Sequence, residues 1–202
     1  MPEAAEIQRY LTGSWRMMMG RPDGIKLLDI SADGFWNSFF AIAIALPALL
    51  AGWVSIANTI TPSHAFVGSR LSIMLRLATV DIGAWVLPLV ALAVAARPAG
   101  LADRFAHYVI SSNWGTALIV WMMLPPTLLR LFYPDAAEIA SAVSVLLFLV
   151  SLVLSWRLTN SALGKGAGMT TAVFGAMFLV SLAVLYLLQY ALGLDASEPV
   201  EG

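Results

Sequence analysis

The chain has 202 residues, 60% of them hydrophobic and only 11% charged, with a formal net charge of -1. A soluble domain carries about 25% charged residues, so an ordinary soluble domain is excluded, and a near-neutral charge gives no electrostatic footing for nucleic acid. The absence of cysteine rules out disulfides, thiolate catalysis and Cys-ligated metals.

Taken in order, the chain opens with residues 4–19, where Ile7, Tyr10, Leu11, Trp15 and Met18 recur at helical spacing while Glu6, Arg9 and Arg16 fall elsewhere. This pattern predicts an amphipathic helix lying in the membrane interface, with Trp15 at headgroup depth. The alternative is a helix packed on the protein's own loops. Met17 to Met19 are either a soft contact surface or filler. Arg21 to Asp33 reads as a loop with one short turn, and Ser31 or Asp33 as an N-cap for the first long helix.

A first span is expected over residues 34–58, because Phe35 to Ala57 holds no charged residue and a bilayer core of about 30 Å needs about 20 apolar residues. It starts too late and runs too long for a cleavable leader. Trp36 and Trp53 mark its two ends as aromatic anchors. Its many alanines invite close helix packing, and Pro47 frees a carbonyl that a neighbour must satisfy. The stretch from Thr59 to Arg70, with Pro62 and His64, reads as a loop.

A second span is expected over residues 77–96, with a helical lead-in from Leu71, and is interrupted by Asp81 and Pro88. The third covers 107–133 and is broken at Pro125-Pro126, with Arg130, Phe132 and Tyr133 as interfacial anchors. The fourth covers 136–156, capped by Pro134-Asp135, with Ala140, Ser144, Ser151 and Ser155 as a small-residue stripe. Arg157 to Gly168 reads as a loop. The fifth span covers 169–192, and the acidic stretch 193–202 reads as a disordered tail. The fold class is therefore an all-α, polytopic integral membrane protein: five transmembrane helices (34–192), preceded by a cytoplasmic segment (1–33) with an interfacial helix.

Basic residues segregate on this layout. Arg9, Arg16, Arg21, Lys26, Arg97, Arg104, Arg157 and Lys165 fall on the N-terminal side, whereas Arg70, Arg76 and Arg130 fall on the other. The positive-inside rule then places the N-terminus in the cytoplasm and the C-terminus outside. An odd number of spans does not divide into two inverted halves, which counts against common transporter layouts.

Few residues suggest chemistry. Asp81 is an ionisable group inside a span and so a candidate for ion or proton handling. It lies about 6 Å from the outer end of the expected span, and the bland reading is a carboxylate capped by a neighbouring helix or snorkelling outward. Arg76 lies five positions away and points about 140° apart on an ideal helix, so it reaches Asp81 only from an irregular helix start. Asn113 is expected to hydrogen-bond across a helix interface, with substrate contact as the alternative. His64 and His107 fall on opposite sides and cannot share a metal. No serine has a His or Lys partner at its own depth, which leaves an intramembrane hydrolase unsupported. No catalytic, cofactor or metal site is expected.

Two stretches look familiar: Leu28 to Phe39, LDISADGFWNSF, and Tyr108 to Trp114, YVISSNW. With five spans and a polar segment before the first, the chain resembles bacterial relatives of the Yip family of Ypt/Rab-interacting membrane proteins, in particular a group of alphaproteobacterial inner-membrane proteins. The resemblance implies a multi-pass inner-membrane protein. The trafficking and GTPase association of eukaryotic members does not transfer to bacteria, and no functional residue is carried over. The expected function is a partner-organising or accessory membrane subunit, in contact with the lipid bilayer and with other membrane proteins or copies of itself. The alternative is a small oligomeric channel or carrier using Asp81.

Overall fold

A computed structural model describes residues 1–60 and 70–194. His64 and the tail beyond Leu194 lie outside the described residues. Among the described residues the chain is all helical, and five stretches are long and apolar enough to cross a membrane.

The N-terminal helix α1 (Ala4–Met18) is followed by a 3-10 turn (Pro22–Leu27). The first long stretch is two helices, α2 (Ala32–Ser38) and α3 (Phe40–Ile60). Ser31 is the N-cap, its Oγ accepting from Gly34 N at 3.1 Å. The second is α4 (Arg70–Ala95), which takes in the expected helical lead-in from Leu71 as well as the expected span. Asp81 therefore sits near the middle of this helix rather than close to its end.

The third stretch is α5 (Phe105–Met122) and α6 (Leu124–Phe132). The break falls at Met123, just ahead of the two prolines, which occupy the first turn of α6, where a missing N–H costs no helical bond. The fourth, α7 (Ala137–Leu163), runs well beyond the expected end at Trp156. Arg157 is exposed on the outer side of the helix, while Leu158, Ala162 and Leu163 are buried, so the apolar face continues past the charge. Gly164 stops it in the left-handed conformation (φ 60°). Asp135 does not cap this helix; a short 3-10 turn (Pro134–Ala136) leads into it instead. The last helix is α8 (Ala167–Ala191).

Packing divides the long helices into partners. α4 pairs with α8, α5 with α7, and α3 lies against α4, α5 and α6. α1 and its 3-10 turn form a cap over one end of α5 and α7. The cap closes through two glycines: a Cβ on Gly13 would stand 2.8 Å from the carbonyl oxygen of Gly24, and one on Gly24 would collide with that of Gly13. Arg16 pairs with Asp23 across the same turn.

The cap corrects the expectation for the amphipathic face. Tyr10 and Met18 are buried within the protein, with Met17 beside them. Tyr10 meets the Trp114 ring at 5.4 Å between centroids. Ile7 and Leu11 pack at the edge of the same cluster. Trp15 stays 46% exposed. The helix carries the periodicity of an interfacial helix, but part of its apolar face is taken up by α5 and α7, because the cap stands over the bundle end.

Two loops meet at that end. Lys165 Nζ donates to Gly100 O (2.5 Å) and to Asp103 Oδ1 (2.7 Å), joining the α7–α8 connection to the α4–α5 connection. With the cap, these are the segments the alternation of spans assigns to one side.

Candidate functional site

The polar residues inside the bundle are the candidates, and each is engaged by a different helix. Asp81 accepts a hydrogen bond from Trp53 Nε1 at 2.6 Å, joining α4 to α3. Trp53 is consequently buried and faces the bundle, whereas Trp36 faces outward, at 71% exposure. Arg76 Nη1 donates to the carbonyl of Leu192 at 2.7 Å, covering one of the free carbonyls at the end of α8. Among the described residues, no ion pair joins Arg76 to Asp81.

Asn113 is fully buried and uses both ends of its amide. Its Nδ2 donates to Ser38 Oγ at 2.8 Å, and its Oδ1 accepts from Trp85 Nε1 at 3.0 Å. Ser38 directs its own proton to Phe35 O at 2.7 Å. One side chain thus ties α2, α4 and α5 together. A buried amide left without partners would cost about 1–3 kcal/mol, so a partner at each end of the amide makes the site tolerable in an apolar interior.

The three candidates do not converge. They form three separate clamps: α3–α4, α4–α8 and α2–α4–α5. Sequence reasoning missed Trp53, Trp85 and Ser38 as their partners. An indole N–H buried in an apolar span requires an acceptor, and that signal was present in both tryptophans.

The two familiar stretches meet here. Ser38 closes the first, Asn113 stands in the second, and they are hydrogen-bonded to each other. The first is locally self-organised. Ser31 N donates to Asp29 Oδ1 at 3.0 Å, and this backbone bond, with that of the Ser31 side chain, holds the Asp29 carboxyl below its ordinary range. Gly34 is pressed against the Asp29 carbonyl so closely that a Cβ would collide with it. Phe35 then packs against Phe105, just before the second stretch, at 6.0 Å between ring centroids.

Trp121 Nε1 on α5 donates to Ile44 O at 2.9 Å, joining α5 to α3; the carbonyl that Pro47 deprives of its helical donor is the preceding one, Ala43 O. Arg130 joins α6 to α7, its Nη2 donating to Ser144 Oγ at 3.0 Å. Of the small-residue stripe on α7, Ala140 and Ser151 are buried, whereas Ser155 is half-buried and borders a cavity. Among the described residues no group of His, Asp and Glu has the geometry of a metal site.

No protein-family model matches this chain, nor does any curated protein or solved structure.

Proposed function

We propose that this chain is a multi-pass protein of the bacterial inner membrane, with the Yip-like layout, that organises partner membrane proteins and has no catalytic role of its own. One observation carries the reading. Asp81, Arg76 and Asn113 are each committed to an interhelical hydrogen bond at a different place. A conduction path needs polar groups in file and able to exchange partners; separate clamps instead hold a bundle rigid and leave its outer surface for contact. The folded cap adds a fixed platform on the side given to the cytoplasm by the bias of basic residues.

Proteoliposomes carrying the protein test this. Proton and cation flux is expected to stay at the level of empty liposomes, and Asp81→Asn is expected to preserve the assembled bundle, because an amide oxygen still accepts from Trp53. Flux that vanishes in Asp81→Asn would refute the organising role and make Asp81 part of a carrier or channel. In native membranes, in-cell crosslinking should return a stoichiometric membrane partner or a second copy of the chain. Single cysteines in this cysteine-free chain fix the orientation: Gly20→Cys should react with an impermeant maleimide in inside-out vesicles and Asp135→Cys in right-side-out ones.

A further inference from the structure

The paired packing of the helices leaves space between α4–α8 and α5–α7, and a cavity of about 260 Å³ occupies it. Met18 of the cap borders it, as do Trp85, Phe174 and Phe178. We propose that this cavity binds one uncharged amphiphile with a hydroxyl- or carbonyl-bearing head and a single apolar chain.

The polar lining comes from several helices at once. Ser112 and Thr159 donate to carbonyls of their own helices, Val109 O at 3.0 Å and Ser155 O at 2.8 Å. Thr116, Ser155 and Ser181 are half-buried at the cavity wall, and their hydroxyls find no partner among the described residues. Pro88, also at the wall, has no N–H, so the carbonyl of Ala84 in the same lining loses its helical donor. Unused donors and acceptors from α4, α5, α7 and α8 therefore face one space. These half-buried hydroxyls are reached from the cavity, so an occupant with a hydroxyl or carbonyl can exchange hydrogen bonds with them.

Charge and size narrow the occupant. No lining residue is charged. A phosphate, carboxylate or ammonium would enter without a counter-ion, at a cost far above that of a hydroxyl. A two-chain phospholipid is too large for a cavity of about 260 Å³, which is smaller than the roughly 300–1,000 Å³ of ordinary small-ligand pockets. A single neutral head followed by part of one chain fits, with the stacked Phe174 and Phe178 (16° between rings, 6.4 Å between centroids) as the apolar wall.

The test uses the full chain in mild detergent with a monoacylglycerol carrying a diazirine in its chain. Saturable photolabelling confined to the cavity wall is expected. Unlabelled monoacylglycerol should compete, and ionised oleate of the same chain length should compete at least about tenfold less well, in keeping with the cost of burying a charge. Thr116→Val keeps the shape and removes one hydroxyl, and should weaken labelling about fivefold, the worth of one interhelical-strength hydrogen bond. Ser155→Leu fills the space and should abolish labelling; should that variant fail to fold, Ser181→Val and Thr116→Val carry the same decision. The proposal is overturned by non-saturable labelling spread over outward residues such as Leu146 and Leu149, by equal competition from oleate, or by labelling unchanged in the variants. Binding at this cavity is separate from any partner protein, so a failed crosslinking search would leave it standing.

Discussion

Removing the Asn113 amide should loosen three helices at once. In Asn113→Ala, the bonds to Ser38 (2.8 Å) and Trp85 (3.0 Å) are lost. Interhelical hydrogen bonds in membrane proteins are worth about 0.6 kcal/mol on average and about 1.7 kcal/mol at most. Ser38 keeps its bond to Phe35 O, but the Trp85 N–H is left without an acceptor, which adds about 1–3 kcal/mol. The expected loss is about 2–4 kcal/mol in unfolding from mixed micelles. A double-mutant cycle isolates each bond. Ser38→Ala with Asn113→Ala, and Trp85→Phe with Asn113→Ala, should each give a coupling of about 0.6–1.7 kcal/mol. Couplings under about 0.3 kcal/mol in both cycles, the range of simple additivity, would refute the idea that this amide joins the helices.

Two further predictions concern the end where the cap and loops meet. Gly24→Ala forces a methyl group into the Gly13 carbonyl; it should destabilise the cap by about 1–3 kcal/mol and speed amide exchange across residues 4–27, while exchange in α8 stays unchanged. Asp103 is held below its ordinary pKa of 3.8, chiefly by the hydrogen bond from Lys165. Because the folded value is depressed, the contact with Lys165 is at full strength above the ordinary carboxylate range. It is lost only as pH falls through the lowered value. A carboxyl carbon NMR titration should show Asp103 titrating below 3.8 and returning toward it in Lys165→Gln; an ordinary value in the unmutated protein would count against the loop tie.

Much of the architecture was legible from one-dimensional pattern. The five apolar stretches are visible as runs without charge, and length alone makes them spanning candidates. Helix ends were harder to read. Arg157 looked like a boundary because charge usually ends a span, yet it sits on the outer side of a helix whose buried side continues to Leu163. Tyr10 and Met18 carried a periodicity that fits either a bilayer surface or a protein surface, and nothing local separates the two. Asn113 was readable as a residue in need of partners, but which helices supplied them depended on how α2 and α4 come to lie beside α5. Trp53 was assigned by its position near a span end, whereas its buried indole answers to Asp81 twenty-eight residues on.

The position of α1 has a consequence for synthesis. Its buried side rests against Trp114 and Leu158, which leave the ribosome long after Met18. At about 5–20 residues per second, Tyr10 and Met18 wait on the order of 10 s for those partners. During that interval the side of α1 that later seats on the bundle has none of these partners. The nascent chain thus carries an uncovered apolar helix until the helices it will cover have arrived.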